Sequence, residues 1–191
     1  MLKFFKKLTP DCYEKSISDI NLEYLHSKEY NTLLIDLDNT ILPWKSSDVP
    51  KESIDWIKKA KSMGFNICIV SNTHYPKRLK KISDKLGVEY IYNAMKPRKA
   101  CFDRALKIFE DRDNNIKNNI KPVVVGDQLF TDIYGGNRCG IFTILVKPMD
   151  KTEFIGTRIN RLFEAVVLRF IGDSLKGTKS FLNKSEKEDD K

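Results

Sequence analysis

Two aspartates one residue apart close the first apolar run of the chain, Thr32-Leu-Leu-Ile-Asp-Leu37, which continues into Asp38-Asn39-Thr40. Residues two apart on an extended chain project to the same side, so Asp36 and Asp38 can address one point beyond a strand end. Carboxylates that close repel one another unless a cation or a shared proton lies between them. A later run, Pro122-Val-Val-Val-Gly126, delivers Asp127 in the same way, with Gln128, Thr131 and Asp132 behind it. Between them, Asn66-Ile-Cys-Ile-Val70 runs into Ser71-Asn72-Thr73, a hydroxyl and amide cluster able to donate hydrogen bonds to phosphate oxygens. Lys96-Pro97 follows a weaker run, Glu89-Tyr-Ile-Tyr92. A lysine in a cleft beside carboxylates would hold them apart and neutralise a bound phosphate. Each item also has an ordinary reading: junction aspartates, an N-cap for the next helix, a solvated lysine, a charge at a helix N-terminus. Their order at successive strand ends is what points to phosphate chemistry.

The elements that would carry these residues alternate. The runs above, with Ile141-Phe-Thr-Ile-Leu-Val146, are continuously apolar, as strands buried on both faces of a parallel sheet are. Helical spacing separates them: Ile54, Ile57 and Ala60 within Glu52 to Met63, and Leu79, Ile82 and Leu86 within Pro76 to Leu86. A third set runs from Ala100 to Phe109 with Cys101, Phe102, Ala105 and Leu106. Gly64 and Gly87 stand where the first two helices should stop. Gly135-Gly136 reads as a helix-ending turn. The pattern predicts an α/β fold, a Rossmann-like parallel five-stranded sheet with helices on both faces, which binds ligands at the carboxyl ends of its strands.

Both ends fall outside that pattern. Residues 1–30 read as a lead-in with a short helix near Asn21 to Ser27, and 31–150 as the core. Residues 151–176 read as an amphipathic helix and 177–191 as a charged, disordered tail. The 191 residues suit one domain, and a net charge of +8 favours anionic partners without choosing among them. Cys12, Cys68, Cys101 and Cys139 form no pair with metal-ligand spacing and are expected reduced, as in a cytoplasmic protein. No apolar stretch approaches the roughly 20 residues of a spanning helix.

Taken together, D-x-D-N-T, S-N-T, K-P and G-D-Q-x-x-T-D closely resemble the four motifs of the haloacid dehalogenase (HAD) superfamily of phosphatases, over roughly residues 30–147. The Leu37-Asp-Asn-Thr-Ile-Leu-Pro-Trp44 continuation, the Pro10-Asp11 lead-in and Thr157-Arg-Ile-Asn-Arg-Leu-Phe163 resemble its subclass IIIA, YqeG-type members, related to mitochondrial phosphatidylglycerophosphatases. The resemblance implies a HAD-type phosphatase, a phosphoric monoester hydrolase using Mg²⁺. Asp36 matches the nucleophile and a metal ligand, and Asp38 the general acid/base with its carbonyl on the metal. Ser71, Asn72 and Lys96 match the phosphate-binding positions, and Asp127 the carboxylate that completes the metal site. Asp132 matches a supporting acidic position.

About 32 residues separate Asp38 from Ser71, enough for one loop, one helix and one strand. Ser71 to Lys96 is similarly filled, so no cap domain is expected and the site should be open to bulky substrates. Trp44, on the loop after the nucleophile strand, either contacts such a substrate or packs its loop down. Arg158, Arg161 and Arg169 beside the apolar stripe of Phe154 to Ile171, with Lys3, Lys6 and Lys7 near Phe4 and Phe5, allow peripheral contact with anionic lipid on the inner face of the membrane. Docking of that helix on the sheet is the plainer alternative. The favoured substrate is a lipid headgroup monoester, phosphatidylglycerophosphate by resemblance. The alternatives are a small phosphorylated metabolite, a nucleic-acid end, or a non-catalytic partner-binding protein of the same fold. Nucleic acid ranks lower because no groove of interleaved aromatic and basic residues is visible.

Overall fold

A computed structural model describes residues 6–112 and 119–150. The expected helix at 151–176, the tail at 177–191 and most of the basic start lie outside the described residues.

Six parallel strands form one sheet: β1 (Cys12–Glu14), β2 (Thr32–Ile35), β3 (Asn66–Val70), β4 (Glu89–Ile91), β5 (Pro122–Gly126) and β6 (Phe142–Val146). Their order is β1-β6-β5-β2-β3-β4. The count corrects the expected five strands. The lead-in supplies the sixth, β1, which pairs with β6 through Cys12 opposite Ile144 and Glu14 opposite Val146. Both edge strands have only three residues, which leaves little open ladder for another chain to pair with.

Among the described residues five α-helices lie between the strands: α1 (Leu22–Ser27), α2 (Lys51–Ser62), α3 (Pro76–Leu86), α4 (Lys99–Glu110) and α5 (Tyr134–Arg138), the last continuing a helical turn at Leu129–Ile133. Alternation along each strand sorts the core into two layers. Leu33, Ile35, Ile67, Ile69, Val123 and Val125 meet Trp56 and Ile57 of α2 and Leu79 and Ile82 of α3 on one face. Leu34, Cys68, Val70 and Val124 meet Cys101, Phe102, Ala105 and Phe109 of α4 on the other. Strands walled on both sides need apolar residues at every position, which is why these runs are continuous. Gly87 caps α3 at φ 64, a left-handed conformation that glycine adopts without strain.

The lead-in is sewn to the core. Asp11 donates its N–H to the Thr143 carbonyl at 3.0 Å, its carboxylate accepts from the Thr143 N–H at 2.8 Å, and the Trp56 indole donates to the Ile20 carbonyl at 2.9 Å. Gly135 and Gly136 lie inside α5 and do not end a helix. A Cβ on Gly135 would come within 2.8 Å of the Phe102 ring, and one on Gly136 within 2.6 Å of Thr143. Close packing, not a turn, selects those two glycines.

The sheet order reverses at β2, whose neighbours β3 and β5 come later in the chain on opposite sides. Such a switch point opens a crevice at the carboxyl ends of the strands. The segment from Asp38 to Ser71 holds a loop, α2 and β3, and that from Ser71 to Lys96 holds α3 and β4. Neither contains an inserted domain.

Candidate active site

Register brings the sequence-predicted residues to one edge. Ile35 pairs with Ile69 on one side and Val125 on the other, so Asp36, Ser71 and Asp127 all leave the sheet at its carboxyl end. Asp36 still belongs to the ladder, donating its N–H to the Val125 carbonyl at 2.9 Å. The residue is only 7% exposed.

Lys96 reaches into this edge and is itself buried. Its ammonium donates to Asp36 Oδ1 at 2.5 Å and to Asp132 Oδ1 at 2.6 Å. The backbone on either side is fixed by Asn72, whose Oδ1 accepts from the Lys96 N–H at 2.8 Å and whose amide donates to the Lys96 carbonyl at 3.2 Å. Asn72 therefore positions the lysine. The Ser71 hydroxyl accepts from the Thr73 N–H at 3.1 Å and holds the turn at the end of β3, while the N-cap of α3 is Tyr75.

Asp36, Asp127 and Asp132 are all buried, and each offers an oxygen within 4.8 Å of the others. Asp132 was expected in a supporting place; it stands within the cluster and also accepts from the Gln128 N–H through Oδ2 at 3.2 Å. Gly126 makes that approach possible, since a Cβ there would lie 2.3 Å from the Asp132 carboxyl carbon.

Three ionised carboxylates around one ammonium leave two negative charges uncompensated. Burial is the main reason Asp36 is pushed up to about 7, with Asp132 and Asp38 adding to it and Lys96 opposing. Burial alone would depress Lys96, but Asp132 and Asp36 outweigh it and hold its ammonium above the usual lysine range. A hard divalent cation with oxygen ligands fits this donor set and closes its charge; Asp36, Asp127 and Asp132 are the side chains that could hold Mg²⁺.

Asp38 is held by a different cation. Its two oxygens accept from the guanidinium of Arg78 at 2.7 and 3.1 Å, and Oδ1 also accepts from the Lys45 N–H at 3.1 Å. Arg78 further donates from Nε to the Ser46 carbonyl at 2.8 Å, clamping the loop after β2 to the first turn of α3. Sequence reasoning passed over Arg78, because nothing in its neighbourhood announces a partner forty residues upstream. The half-buried Trp44 carries the Lys45 ammonium 4.3 Å from its ring centre. The four cysteines are free, and burial pushes Cys12 and Cys68 up to about 12.

A three-layer α/β sheet that presents aspartates, a serine and a buried lysine in this order at its carboxyl edge defines a HAD-type phosphatase, a phosphoric monoester hydrolase. The chain belongs to the family described as mitochondrial PGP phosphatase, which it matches over residues 1–149. It is 38% identical over 168 residues to the Bacillus subtilis (strain 168) protein named "Probable phosphatase YqeG", covering 88% of this chain and 92% of that one. It is 26% identical over 177 residues to the chloroplastic/mitochondrial phosphatidylglycerophosphate phosphatase 1 of Arabidopsis thaliana, covering 87% of this chain and 49% of that protein. The magnesium-bound structure of the Bacillus subtilis HAD-hydrolase YfnB aligns at 16% identity with a TM-score of 0.49, over 66% of this chain and 91% of that one.

Proposed function

We propose that this phosphatase is Mg²⁺-dependent, works through an aspartyl-phosphate on Asp36, and takes phosphatidylglycerophosphate as its substrate. The observation that carries the chemistry is the buried cluster of Asp36, Asp127 and Asp132 around Lys96. The substrate is supported by the family and by the Arabidopsis relative. When bound, Mg²⁺ would screen the negative charge that otherwise keeps a carboxylate from an anionic phosphoryl group.

The residues divide the work. Asp36 attacks phosphorus, and the bond from phosphorus to the ester oxygen breaks. As general acid, Asp38 gives a proton to the departing oxygen, and so must release at least one bond to Arg78 in that step. It then takes a proton from the water that attacks the aspartyl-phosphate, returning Asp36 and inorganic phosphate. Lys96 balances negative charge on the phosphoryl oxygens, with its backbone fixed by Asn72. The Ser71 hydroxyl and the amides of its turn donate to the same oxygens.

Asp36→Asn tests this directly. Turnover with Mg²⁺ should fall by roughly a thousandfold or more, because the substitution removes a covalent nucleophile. EDTA should stop the wild type and added Mg²⁺ restore it. Turnover near the wild-type rate in Asp36→Asn would dismiss the mechanism. If phosphate were released from sugar phosphates or phosphorylated oligonucleotides but not from phosphatidylglycerophosphate, the lipid assignment would fall and the mechanism would stand. Among the described residues no helix is long and apolar enough to cross a membrane.

A further inference from the structure

Beside Asp38 lies a cavity of about 590 Å³, lined by Lys45, His74, Tyr75, Pro76, Lys77 and Arg78. That is the size of an ordinary small-molecule site, with room for a phosphoglycerol unit. Two of its walls touch Asp38 directly, Arg78 through the bidentate pair and Lys45 through its N–H. A general acid must stand beside the oxygen that it protonates. An alcohol that extends from Asp38 past Arg78 and Lys45 enters this cavity.

The lining is cationic. Lys45, Lys77 and Arg78 belong to it, and no acidic residue does. Asp38 engages Arg78, so the charges left to meet a ligand are those of the two lysines. The Lys45 ammonium is already braced against the Trp44 ring, which orders it without neutralising it. Lys77 lies in the first turn of α3, whose cap residue Tyr75 makes no side-chain cap bond, so backbone N–H groups at that end also favour an anion. Tyr75 is 66% exposed and presents an aromatic wall to the carbon atoms between two polar groups.

We propose that this cavity is a second anion subsite, which takes a phosphate carried on the leaving alcohol about one glycerol length from the phosphomonoester under attack. The inference rests on the reading of Asp38 as general acid/base given above. It narrows the substrate class to esters with two phosphates joined by a short polyol, of which a phosphodiester headgroup bearing a terminal phosphomonoester is one. The second phosphate also gives Arg78 an alternative partner, which eases the release of Asp38 that protonation of the leaving group requires.

The test compares two water-soluble esters whose phosphate leaves from a glycerol hydroxyl and whose leaving alcohols differ by a second phosphate, glycerol phosphate and glycerophosphoglycerol phosphate, the deacylated headgroup. Both are assayed with Mg²⁺ on the full chain and on Lys45→Ala/Lys77→Ala. Each lysine lost from an anion contact costs a charge-assisted bond, so kcat/KM on the two-phosphate ester should fall roughly tenfold to a hundredfold further than on glycerol phosphate. Equal losses on the two esters, or none, would overturn the proposal. Lys45→Arg/Lys77→Arg should keep most of the preference and shows whether the alanine variant fails through charge or through folding.

A binding arm needs no turnover. Titration calorimetry with glycerophosphoglycerol, the diester without a terminal phosphate, should show binding to the full chain that the double alanine variant loses. If that binding holds while neither ester is hydrolysed, the subsite survives and the phosphatase mechanism is what failed. If inorganic phosphate occupies the cavity as tightly as the diester does, the site is for free phosphate and the substrate inference is refuted.

Discussion

Replacing Gly126 by alanine should unseat the cluster without touching any residue in it. The new Cβ would lie 2.3 Å from both Cγ and Oδ2 of Asp132 and 2.6 Å from its Cβ, where ordinary contact begins near 3.4 Å. Asp132 must withdraw by about 1 Å, an overpacking strain that a close-packed interior does not absorb freely. It is 1% exposed and fixed from two sides, by the Lys96 ammonium at 2.6 Å and the Gln128 N–H at 3.2 Å. The shift takes the first of these beyond hydrogen-bond range. Overpacking costs about 1–3 kcal/mol and opening a buried ion pair about 3–5, and the larger of the two, taken alone because they share one displacement, puts the loss near 4 kcal/mol. For a chain of this size that lowers the melting midpoint by roughly 10 °C. Scanning calorimetry with urea titration would measure it. Gly140→Ala is the control: φ is 71 but nothing lies within 4 Å of its Cβ, so only left-handed strain of about 1–2 kcal/mol applies. A Gly126→Ala midpoint no lower than that of Gly140→Ala would refute the reasoning.

Three further outcomes follow from the same geometry. Asp36 is raised from 3.8 to about 7, so in EDTA the folded state holds a proton that the unfolded state has released between those values. That stabilisation is complete below pH 3.8 and is lost as pH rises through about 7. The slope is at most about 1.4 kcal/mol per pH unit, and urea titrations at several pH values should find it in EDTA and largely gone with Mg²⁺. Arg78→Ala should lower kcat on a single-phosphate ester about tenfold with KM little changed, because Asp38 then loses the bond it keeps to Arg78 during transfer, which aims its carboxyl at the leaving oxygen; Arg78→Lys should not restore it, lacking the planar fork. An unchanged kcat in Arg78→Ala would remove Arg78 from the mechanism. The full chain should co-sediment with anionic vesicles at low salt, with about 1 kcal/mol per basic side chain at the surface, and less after removal of residues 1–9. Indifference to anionic vesicles at low salt would end the membrane proposal.

What the sequence disclosed depended on how local each signal was. The runs at Asn66–Val70 and Pro122–Gly126 matched their strands because burial on both faces writes itself into consecutive residues. Pro76–Leu86 matched its helix because proline opened it and Gly87 closed it. Asp36 and Asp127 were found because they directly follow strands, and Lys96 and Asp132 because they lie a few residues beyond β4 and β5. Cys12–Glu14 was missed: three residues alternating buried and exposed carry too little pattern to distinguish a strand from a loop. Arg78 was missed because a salt bridge to Asp38 across forty residues has no local signature. The reason for Gly126 was equally hidden, since it is a side chain six residues later that fills the space a Cβ would need.

The parallel pairing of β1 with β6 also orders events during synthesis. Asp11 and Cys12 emerge early, yet their partners Thr143 and Ile144 are about the last described residues to appear, 132 positions later. At roughly 5–20 residues per second, the first strand made waits on the order of 10 s without its partner, while β2, β3 and β4 can already pair. The strand that enters the sheet last is therefore the one translated first. A ribosome stalled before Phe142 would carry a chain whose nucleophile strand is in place but whose leading segment is still unpaired.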